Sequence, residues 1–457
     1  MGTDRGSESS TSFLPPGGHH RDPSRERVLW LAAYVVAALA PLALVFAADD
    51  AFQHPPIIEF SVAIGFVGLM LLALQVVIPS RAGAFTTPFG IDVLLRFHRQ
   101  MGLVALGLVV AHVVILIADN TDLISLLNPL EAPNRARAGL GAVVALALLT
   151  FTSLWRARAR LSYERWRGLH VALGIAILVL SLAHIIWVGH YVAFRSLRWV
   201  SLLVVVLALL SIAYLRFARP FAAAGRPYRV SAVRPERGGA TTIELEADGH
   251  RGDAFRPGQF AWLKFHGAPY ALVEHPFSYS SSSHRPARPA FTIKARGDFT
   301  EAVAELDAGT AIIIDGPHGS FRPAVPDGPF LLVAAGVGIT PVRSILQTLA
   351  DEGDRRELIL VYGSRSWEEV TFREELADVE KELDLRVIHV LSRPDADWSG
   401  ETGRISAELL ERVLPMRALR WNVFVCGPPQ MTEGLVRELV DLGFPRQAVH
   451  AERFVSA

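Results

Sequence analysis

Six long apolar runs constrain the fold of this chain more than any other feature of its sequence. A helix needs roughly 17–25 mostly apolar residues to cross a bilayer. The runs lie at residues 28–48, 57–78, 102–118, 138–155, 171–188 and 197–217. Because 51% of all residues are hydrophobic, we expect residues 28–219 to form an integral membrane domain of six spans.

Arginine placement predicts the orientation of these spans. The loops after the second, fourth and sixth runs carry several arginines, whereas the first loop on the other side, "DDAFQHPP", has no Lys or Arg. The positive-inside rule therefore predicts a protein of the cell membrane with both termini on the cytoplasmic side. Residues 1–27, rich in Gly, Ser and Pro, are predicted to be a disordered tail. A signal peptide cleaved near Ala47 is the alternative, but its apolar run would be unusually long and five more follow.

Four histidines lie at the ends of the third and fifth runs. His98 and His112 are fourteen residues apart, and so are His170 and His184. In a helix, fourteen residues return to nearly the same face after about 21 Å. Since both helices are odd-numbered spans with the same direction, His98 is level with His170 and His112 with His184.

These levels predict two bis-imidazole sites, one near each side of the membrane. Ionisable residues within a span are costly and usually functional. Two axial histidines suit a six-coordinate haem for electron transfer, so two b-type haems are expected. The alternative is that His98 and His170 are interfacial and that His112 and His184 only hydrogen-bond within the bundle.

The second half of the chain changes character. From Tyr228 to about Pro323, short alternating runs such as "TTIELEA" and "FAWLKF" predict a small antiparallel β-barrel. From Phe330 onward, apolar strands alternate with helical patterns, which predicts a doubly wound parallel α/β domain. The proposed boundaries are residues 226–325 and 326–457. With Cys426 as its single cysteine, the chain can form no intrachain disulfide.

The motifs "RPGQF" (256–260), "EHPFSYSSS" (274–283) and "IKARGDFT" (293–300) occur in that order. With the histidine pairs, they make the chain resemble the ferric reductase and NADPH oxidase superfamily, in which a haem-binding membrane domain precedes a ferredoxin-NADP reductase module. The resemblance implies that FAD lies along a His-Pro-Phe-Thr/Ser segment, with the Ser278 hydroxyl near the reactive ring. It also implies a pyrophosphate clamp in "GDFT". The flavin-binding residues so implied are His275, Pro276, Phe277, Ser278, Lys294, Gly297 and Thr300.

The nucleotide site is predicted at the ends of three strands. "AAGVGITP" (334–341) places a Gly-x-Gly before a helix, where a pyrophosphate could approach. "VCGPP" (425–429) matches the Cys-Gly-Pro that lies beside the nicotinamide in the family. "YGSRS" (362–366) offers a Ser-Arg pair for an adenosine phosphate, which favours NADPH over NADH; a solvated loop arginine is the alternative. The candidates are Gly336, Gly338, Thr340, Pro341, Ser364, Arg365, Cys426, Gly427 and Pro428.

The predicted function is transmembrane electron transfer from NADPH through FAD and two haems to an outer acceptor, either dioxygen or a ferric chelate. Ser278, Cys426 and Phe454 are the candidate catalytic residues. In the family an aromatic near the chain end stacks on the flavin, and Phe454 matches it, although three residues follow; packing of the last strand is its alternative role. A membrane cytochrome subunit serving a protein or quinone partner, and a reductase merely anchored by helices, are the rival functions. The zero net charge gives no indication of nucleic-acid binding, and none is expected. The oligomeric state is left open.

Overall fold

A computed structural model gives the fold of the chain. It describes residues 23–46, 54–78, 89–156, 158–189, 195–266, 274–321, 328–415, 419 and 421–453. The chain divides near residue 221 into two compact units. We call them the membrane unit, up to Phe221, and the C-terminal unit, from Ala222 onward.

The membrane unit is built from long apolar helices. They are α1 Pro23–Phe46, α2 Pro56–Leu74, α3 Ile91–Asp119, α4 Asn134–Leu154, α5 Tyr163–Val188 and α6 Arg195–Ala213, which continues through a π-helical turn (Tyr214–Ala218) into α7 Arg219–Ala224. Six helices of the described chain are long and apolar enough to cross a membrane. The six predicted spans are therefore confirmed.

Helix α3 begins well before the predicted third span. The preceding residues, "IDVLLRFHRQM", include Leu, Arg, Gln and Met, which favour helix even where they are polar. The apolar run begins only at Gly102, but the helix begins eleven residues earlier, at Ile91. His98 therefore lies within the same helix as His112, fourteen residues before it and on nearly the same face.

The membrane helices pack mainly as two hairpin-like pairs. In α2 and α3, Leu71 and Ala105 belong to one buried cluster. In α4 and α5, Leu146 and Ile177 belong to another. Many other apolar side chains of these helices remain exposed, as Val36 does, because their partner in the cell is hydrocarbon rather than protein.

The first part of the C-terminal unit is a six-stranded antiparallel sheet. Its strands are β1 Tyr228–Glu236, β2 Ala240–Ala247, β3 Phe260–Phe265, β4 His275–Ser278, β5 Ala290–Lys294 and β6 Ala311–His318, in the spatial order β4-β3-β6-β1-β2-β5. An antiparallel bridge from Tyr279 to Phe291 joins the two outer strands. The sheet thus closes into the predicted barrel, filled by side chains such as Leu245 and Leu263.

The second part of the C-terminal unit is a parallel sheet with helices on both faces. Its strands are β7 Phe330–Ala335, β8 Leu358–Ser364, β9 Leu385–Leu391, β10 Glu401–Thr402, β11 Asn422–Gly427 and β12 Val449–Arg453, in the order β10-β9-β8-β7-β11-β12. The helices are α9 Ile339–Asp351, α10 Arg373–Glu382, α11 Ala407–Val413 and α12 Pro429–Asp441, and α8 Asp298–Glu301 belongs to the barrel. The predicted doubly wound fold is confirmed.

The strand order reverses between β7 and β11. Helices α9 and α10 cover one face of the sheet, and α11 and α12 cover the other. In sheets of this kind, ligands bind beyond the carboxyl ends of the strands where the order reverses. The topology therefore directs attention to the residues that follow β7 and β11.

Candidate cofactor-binding sites

His98 and His170 face each other from α3 and α5. After the orientation predicted from the arginines, we call them the inner histidines, and His112 and His184 the outer histidines. The ring centroids of His98 and His170 are 6.1 Å apart, with the ring planes inclined at 48°. A metal held between two imidazole nitrogens at about 2 Å each places the ring centroids roughly 6 Å apart, since each centroid lies about 1 Å behind its nitrogen. The spacing of this pair therefore fits two axial ligands of one metal.

The outer histidines are each anchored through one ring nitrogen. Nδ1 of His112 donates to the Ser61 carbonyl oxygen at 2.9 Å, and Nδ1 of His184 donates to the Arg135 carbonyl oxygen at 2.8 Å. A carbonyl can only accept, so the proton of each neutral ring lies on Nδ1. The other nitrogen, Nε2, is then left with the lone pair that a metal requires.

The inner rings are held by side chains instead. Ser153 donates its hydroxyl proton to the Leu149 carbonyl at 2.7 Å, so its Oγ can accept from Nδ1 of His170, 3.2 Å away. The side-chain amide of Gln75 lies against Nδ1 of His98. The orientation that satisfies its neighbours turns the amide nitrogen toward Nδ1 and toward the His98 carbonyl oxygen, while the amide oxygen accepts from the Gly102 N–H. Ligation through Nε2 of His98 therefore requires this amide to turn.

The histidines occur in pairs rather than in larger clusters. Within the described residues, no group of three or more His, Cys, Asp or Glu side chains could hold a metal ion. Structural and catalytic zinc sites use three or four protein ligands, whereas a bis-histidine haem uses two. The donor set therefore fits haem, as the histidine spacing predicts.

The predicted flavin segment forms strand β4, which pairs with β3. Phe277 packs against the barrel core, and Ser278, next along the alternation, faces the other way. The Ser278 hydroxyl is buried, yet no described residue supplies it with a hydrogen-bond partner. A buried polar atom without a partner costs about 1–3 kcal/mol, so we expect a ligand atom opposite Ser278.

Aromatic rings surround this strand on the side of the predicted clamp. Phe299 stacks on Phe265 with 4.7 Å between ring centroids, and its ring lies 4.2 Å from that of His275. The space beside Gly297 is open. Thr300, by contrast, uses its hydroxyl within the turn, donating to the Gly297 carbonyl at 2.9 Å. Gly297 is thus the member of "GDFT" best placed for a phosphate.

The serines after Ser278 connect the barrel to α9. Arg343 donates to the Ser280 carbonyl at 2.7 Å, and the Ser344 hydroxyl donates to the Ser281 carbonyl at 2.7 Å. Arg343 also pairs with Glu375 at 2.8 Å. These partly buried contacts connect the segment after the predicted flavin strand to helix α9 of the nucleotide sheet.

The two glycines of "AAGVGITP" have different surroundings. Gly336 has φ +53° and open space where a side chain would project, so a phosphate can approach its backbone. A Cβ on Gly338 would lie 2.3 Å from the Cys426 carbonyl oxygen. The absence of a side chain at Gly338 is thus needed for packing against β11, a role that the motif alone did not reveal.

The surroundings of Thr340 and Cys426 limit the interactions that these two predicted residues can make. The Thr340 hydroxyl donates to the Val337 carbonyl at 2.7 Å, so toward a ligand it can only accept. Cys426 is completely buried, and burial, with a contribution from the Glu452 carboxylate, raises the pKa of its thiol well above the usual range. Cys426 is therefore a neutral thiol rather than a nucleophile.

The predicted adenosine-phosphate site lies in a cationic region. Arg365 is exposed just after β8, next to the half-buried Ser364. Burial lowers the pKa of Lys294, and the nearby charges of Arg365 and Arg296 lower it further, against the opposing effect of Glu369. Like charges gathered at one place raise each other's free energy unless an anion joins them.

Two residues near the carboxyl ends of the parallel strands were missed from the sequence, Arg393 and Glu452. Arg393 donates its backbone N–H to the Arg365 carbonyl at 2.7 Å, so a second Ser-Arg pair, "SR" at 392–393, lies beside the first. Glu452 stands opposite Cys426 in the register of β12 on β11. A repeated "SR" after a strand was a usable signal for Arg393, whereas Glu452 had none. Pro341 lies in the first turn of α9, Gly427 ends β11 and Pro428 precedes α12, whereas Phe454 is outside the described residues.

Each of the two units contains a segment that matches a known protein family. Residues 64–181 match the ferric reductase like transmembrane component family, and residues 332–437 match the oxidoreductase NAD-binding domain family. Ferredoxin-NADP reductase B of Sorangium cellulosum is 32% identical over 250 residues, which are 52% of this chain and 98% of that protein.

Two other relatives match a smaller part of their own length. NADH-cytochrome b5 reductase 1 of Candida glabrata is 32% identical over 33% of this chain and 54% of its own. The ferredoxin reductase component of the 3-ketosteroid-9-alpha-monooxygenase of Rhodococcus rhodochrous is 31% identical over 50% of this chain and 64% of its own. The chain thus spans about half the length of the cytochrome b5 reductase it matches.

Proposed function

Because the chain belongs to the ferric reductase and NADPH oxidase superfamily, we propose that it oxidises cytoplasmic NADPH and delivers the electrons to an acceptor across the membrane. Both termini lie in the cytoplasm in this proposal, as the arginine distribution favours. The acceptor is dioxygen or a ferric chelate, since either can take electrons at the exposed edge of an outer site.

The observation that carries this proposal is the arrangement of the four histidines of α3 and α5 in two pairs. The inner rings stand 6.1 Å apart, and the outer rings use Nδ1 for backbone carbonyls, leaving Nε2 for a ligand. Bound at these places, b-type haem would supply one-electron steps, and FAD would supply the conversion from the two-electron chemistry of a nicotinamide. A reductase merely anchored by its helices would need none of these four histidines.

The C-terminal unit supplies the binding surfaces. Ser278 offers its unpartnered hydroxyl to the flavin, while the backbone at Gly297 admits the flavin pyrophosphate. Gly336 admits the nucleotide pyrophosphate, and the neutral Cys426 packs beside the nicotinamide. The remaining proposed contacts are those of His275, Pro276, Phe277, Lys294, Thr300, Gly338, Thr340, Pro341, Ser364, Arg365, Gly427 and Pro428.

Removing one outer histidine tests the proposal. The purified wild-type chain should hold two haems, and His112→Ala should hold one, because the outer site would lose one of the two histidines proposed to ligate its haem. External acceptor reduction should stop, whereas flavin reduction by NADPH should continue. His54→Ala, at an exposed histidine, is the matched control and should behave as wild type. A His112→Ala variant with the wild-type haem-to-protein ratio and turnover would refute the assignment.

A further inference from the structure

The two outer histidines are held by the same backbone arrangement, repeated in two helix pairs. In the first pair, α2 presents the Ser61 carbonyl to His112 of α3. In the second, α4 presents the Arg135 carbonyl to His184 of α5. Four residues after each carbonyl there is a glycine, Gly65 and Gly139 respectively. The repetition in two separate helix pairs points to a shared requirement.

Each glycine lies directly against the imidazole. A Cβ placed on Gly65 would lie 3.3 Å from Nδ1 of His112. A Cβ placed on Gly139 would lie 2.8 Å from Nδ1 of His184 and 3.1 Å from its Cε1. The first distance demands a small shift of the ring, and the second is too short for any real contact.

Helix geometry explains why the glycine follows the carbonyl by four residues. The carbonyl of residue i points along the helix toward residue i+4, whose N–H it accepts. The Cα–Cβ bond of residue i+4 tilts back toward the helix N-terminus, so its side chain covers that carbonyl from outside. Glycine at i+4 removes the cover, and a group from a neighbouring helix can then reach the oxygen.

We propose that Gly65 and Gly139 are positioning residues for the outer haem, because they open one carbonyl each to the Nδ1–H of an axial histidine. The inference rests on the proposed function, since it concerns how the bound group is held. The carbonyls fix the ring orientation and the tautomer, so that both Nε2 atoms are available as ligands. A hydrogen bond of this kind also raises the electron-donating strength of the imidazole.

The inner pair provides a contrast within the same chain. His170 relies on the Ser153 hydroxyl and His98 on the Gln75 amide, and both are side chains. A carbonyl has a larger dipole and a fixed position in its helix, so it polarises an imidazole more strongly than a hydroxyl does. His112 and His184 should therefore be stronger electron donors than His170.

Alanine substitution of the glycines tests the inference, and the same helices offer matched controls. A Cβ on Gly141 of α4 would meet the end of Leu180 at 3.2 Å. A Cβ on Gly68 of α2 would meet the end of Val109 at 3.2 Å, with the Ala105 carbonyl oxygen and the Leu108 Cβ at an ordinary contact distance of 3.9 Å. The test variants are Gly139→Ala and Gly65→Ala, and the controls are Gly141→Ala and Gly68→Ala. All four add one methyl group to a helix–helix contact.

The purified full chain is used, and three readouts are recorded. They are the transfer of haem to excess apomyoglobin, the midpoint potential of each haem, and the low-temperature electron paramagnetic resonance spectrum of the ferric state. Loss of such a hydrogen-bond partner typically weakens metal binding by about 10–100-fold. We expect Gly139→Ala to lose one haem at least about 10-fold faster than wild type. While the outer haem of this variant is still bound, its midpoint potential should rise and its ferric spectrum should change.

Gly65→Ala should act in the same direction but more weakly, because its methyl group overlaps the ring less. Both controls should match wild type. Should Gly139→Ala fail to fold, the weaker Gly65→Ala variant decides the question. Equal effects of Gly141→Ala and Gly139→Ala, or wild-type readouts for both test variants, would overturn this inference while leaving two haems in the protein. A wild-type chain without haem would instead overturn the proposed function itself.

Discussion

Nucleotide choice should depend on two neighbouring arginines at the ends of β8 and β9. The backbone N–H of Ser392 donates to the Ser364 carbonyl at 3.0 Å, and that of Arg393 donates to the Arg365 carbonyl at 2.7 Å. The two Ser-Arg pairs therefore run side by side at one sheet edge. We predict that Arg365→Ala and Arg393→Ala each weaken NADPH binding and leave NADH binding nearly unchanged.

The magnitude follows from the exposure of the two side chains. A hydrogen bond to a charged phosphate contributes about 1.5–3 kcal/mol. Both arginines are exposed, so solvent screening favours the lower value, and about 1.4 kcal/mol corresponds to a ten-fold change in the dissociation constant. Because both arginines would contact one phosphate, the double variant should lose less than the product of the single effects. NADH lacks that phosphate and should change by less than about two-fold.

The assay is stopped-flow reduction of the flavin in the purified full chain, with NADPH and NADH compared at several salt concentrations. The NADPH preference should shrink as salt rises, since exposed charges are screened. Arg386→Ala is the matched control, because Arg386 is an exposed arginine at the opposite end of β9. Equal losses for both nucleotides, or a wild-type preference for NADH, would refute the assignment of this edge to the extra phosphate.

Three further predictions concern the C-terminal unit. The methyl group of Gly338→Ala would lie 2.3 Å from the Cys426 carbonyl oxygen, so this variant should lower the free energy of unfolding by about 1–3 kcal/mol, measured by calorimetry. Gly336→Ala should lower it by less, and the reverse order would contradict the packing role of Gly338. Burial lowers the pKa of His450 to about 4, so the unfolded chain binds a proton that the folded ring refuses, and stability should fall as pH drops from about 6.5 to about 4. His450→Phe should flatten that decline in denaturant titrations at pH 7 and pH 5, and an unchanged slope would exclude this histidine as its cause. Phe454→Ser should bind nicotinamide more tightly and shift the flavin absorbance with little change in thermal stability; a large stability loss with an unaltered spectrum would instead make Phe454 a packing residue.

Local patterns in the sequence were sufficient for the architecture. Long apolar runs leave few alternatives to membrane helices, because an unpaired backbone is prohibitively costly in hydrocarbon. The fourteen-residue spacing of His98 to His112 placed both rings on one helix face, since helical periodicity depends only on the chain itself. Alternating runs predicted the barrel strands, and apolar strands separated by helical patterns predicted the parallel sheet. Each of these signals is carried by neighbouring segments of the chain and needs no contact between distant ones.

Contacts between distant segments were decided only by the tertiary structure. A lone Gly-x-Gly could not show that Gly338 packs against the Cys426 peptide while Gly336 stays open. Nothing near His184 in the sequence indicated that the Arg135 carbonyl would anchor it, forty-nine residues away. Such pairings depend on how helices and strands meet, and many registers are compatible with the same local pattern. The sequence therefore determined which elements form and which residues could hold cofactors, whereas close packing across elements determined which atoms of those residues remain free to do so.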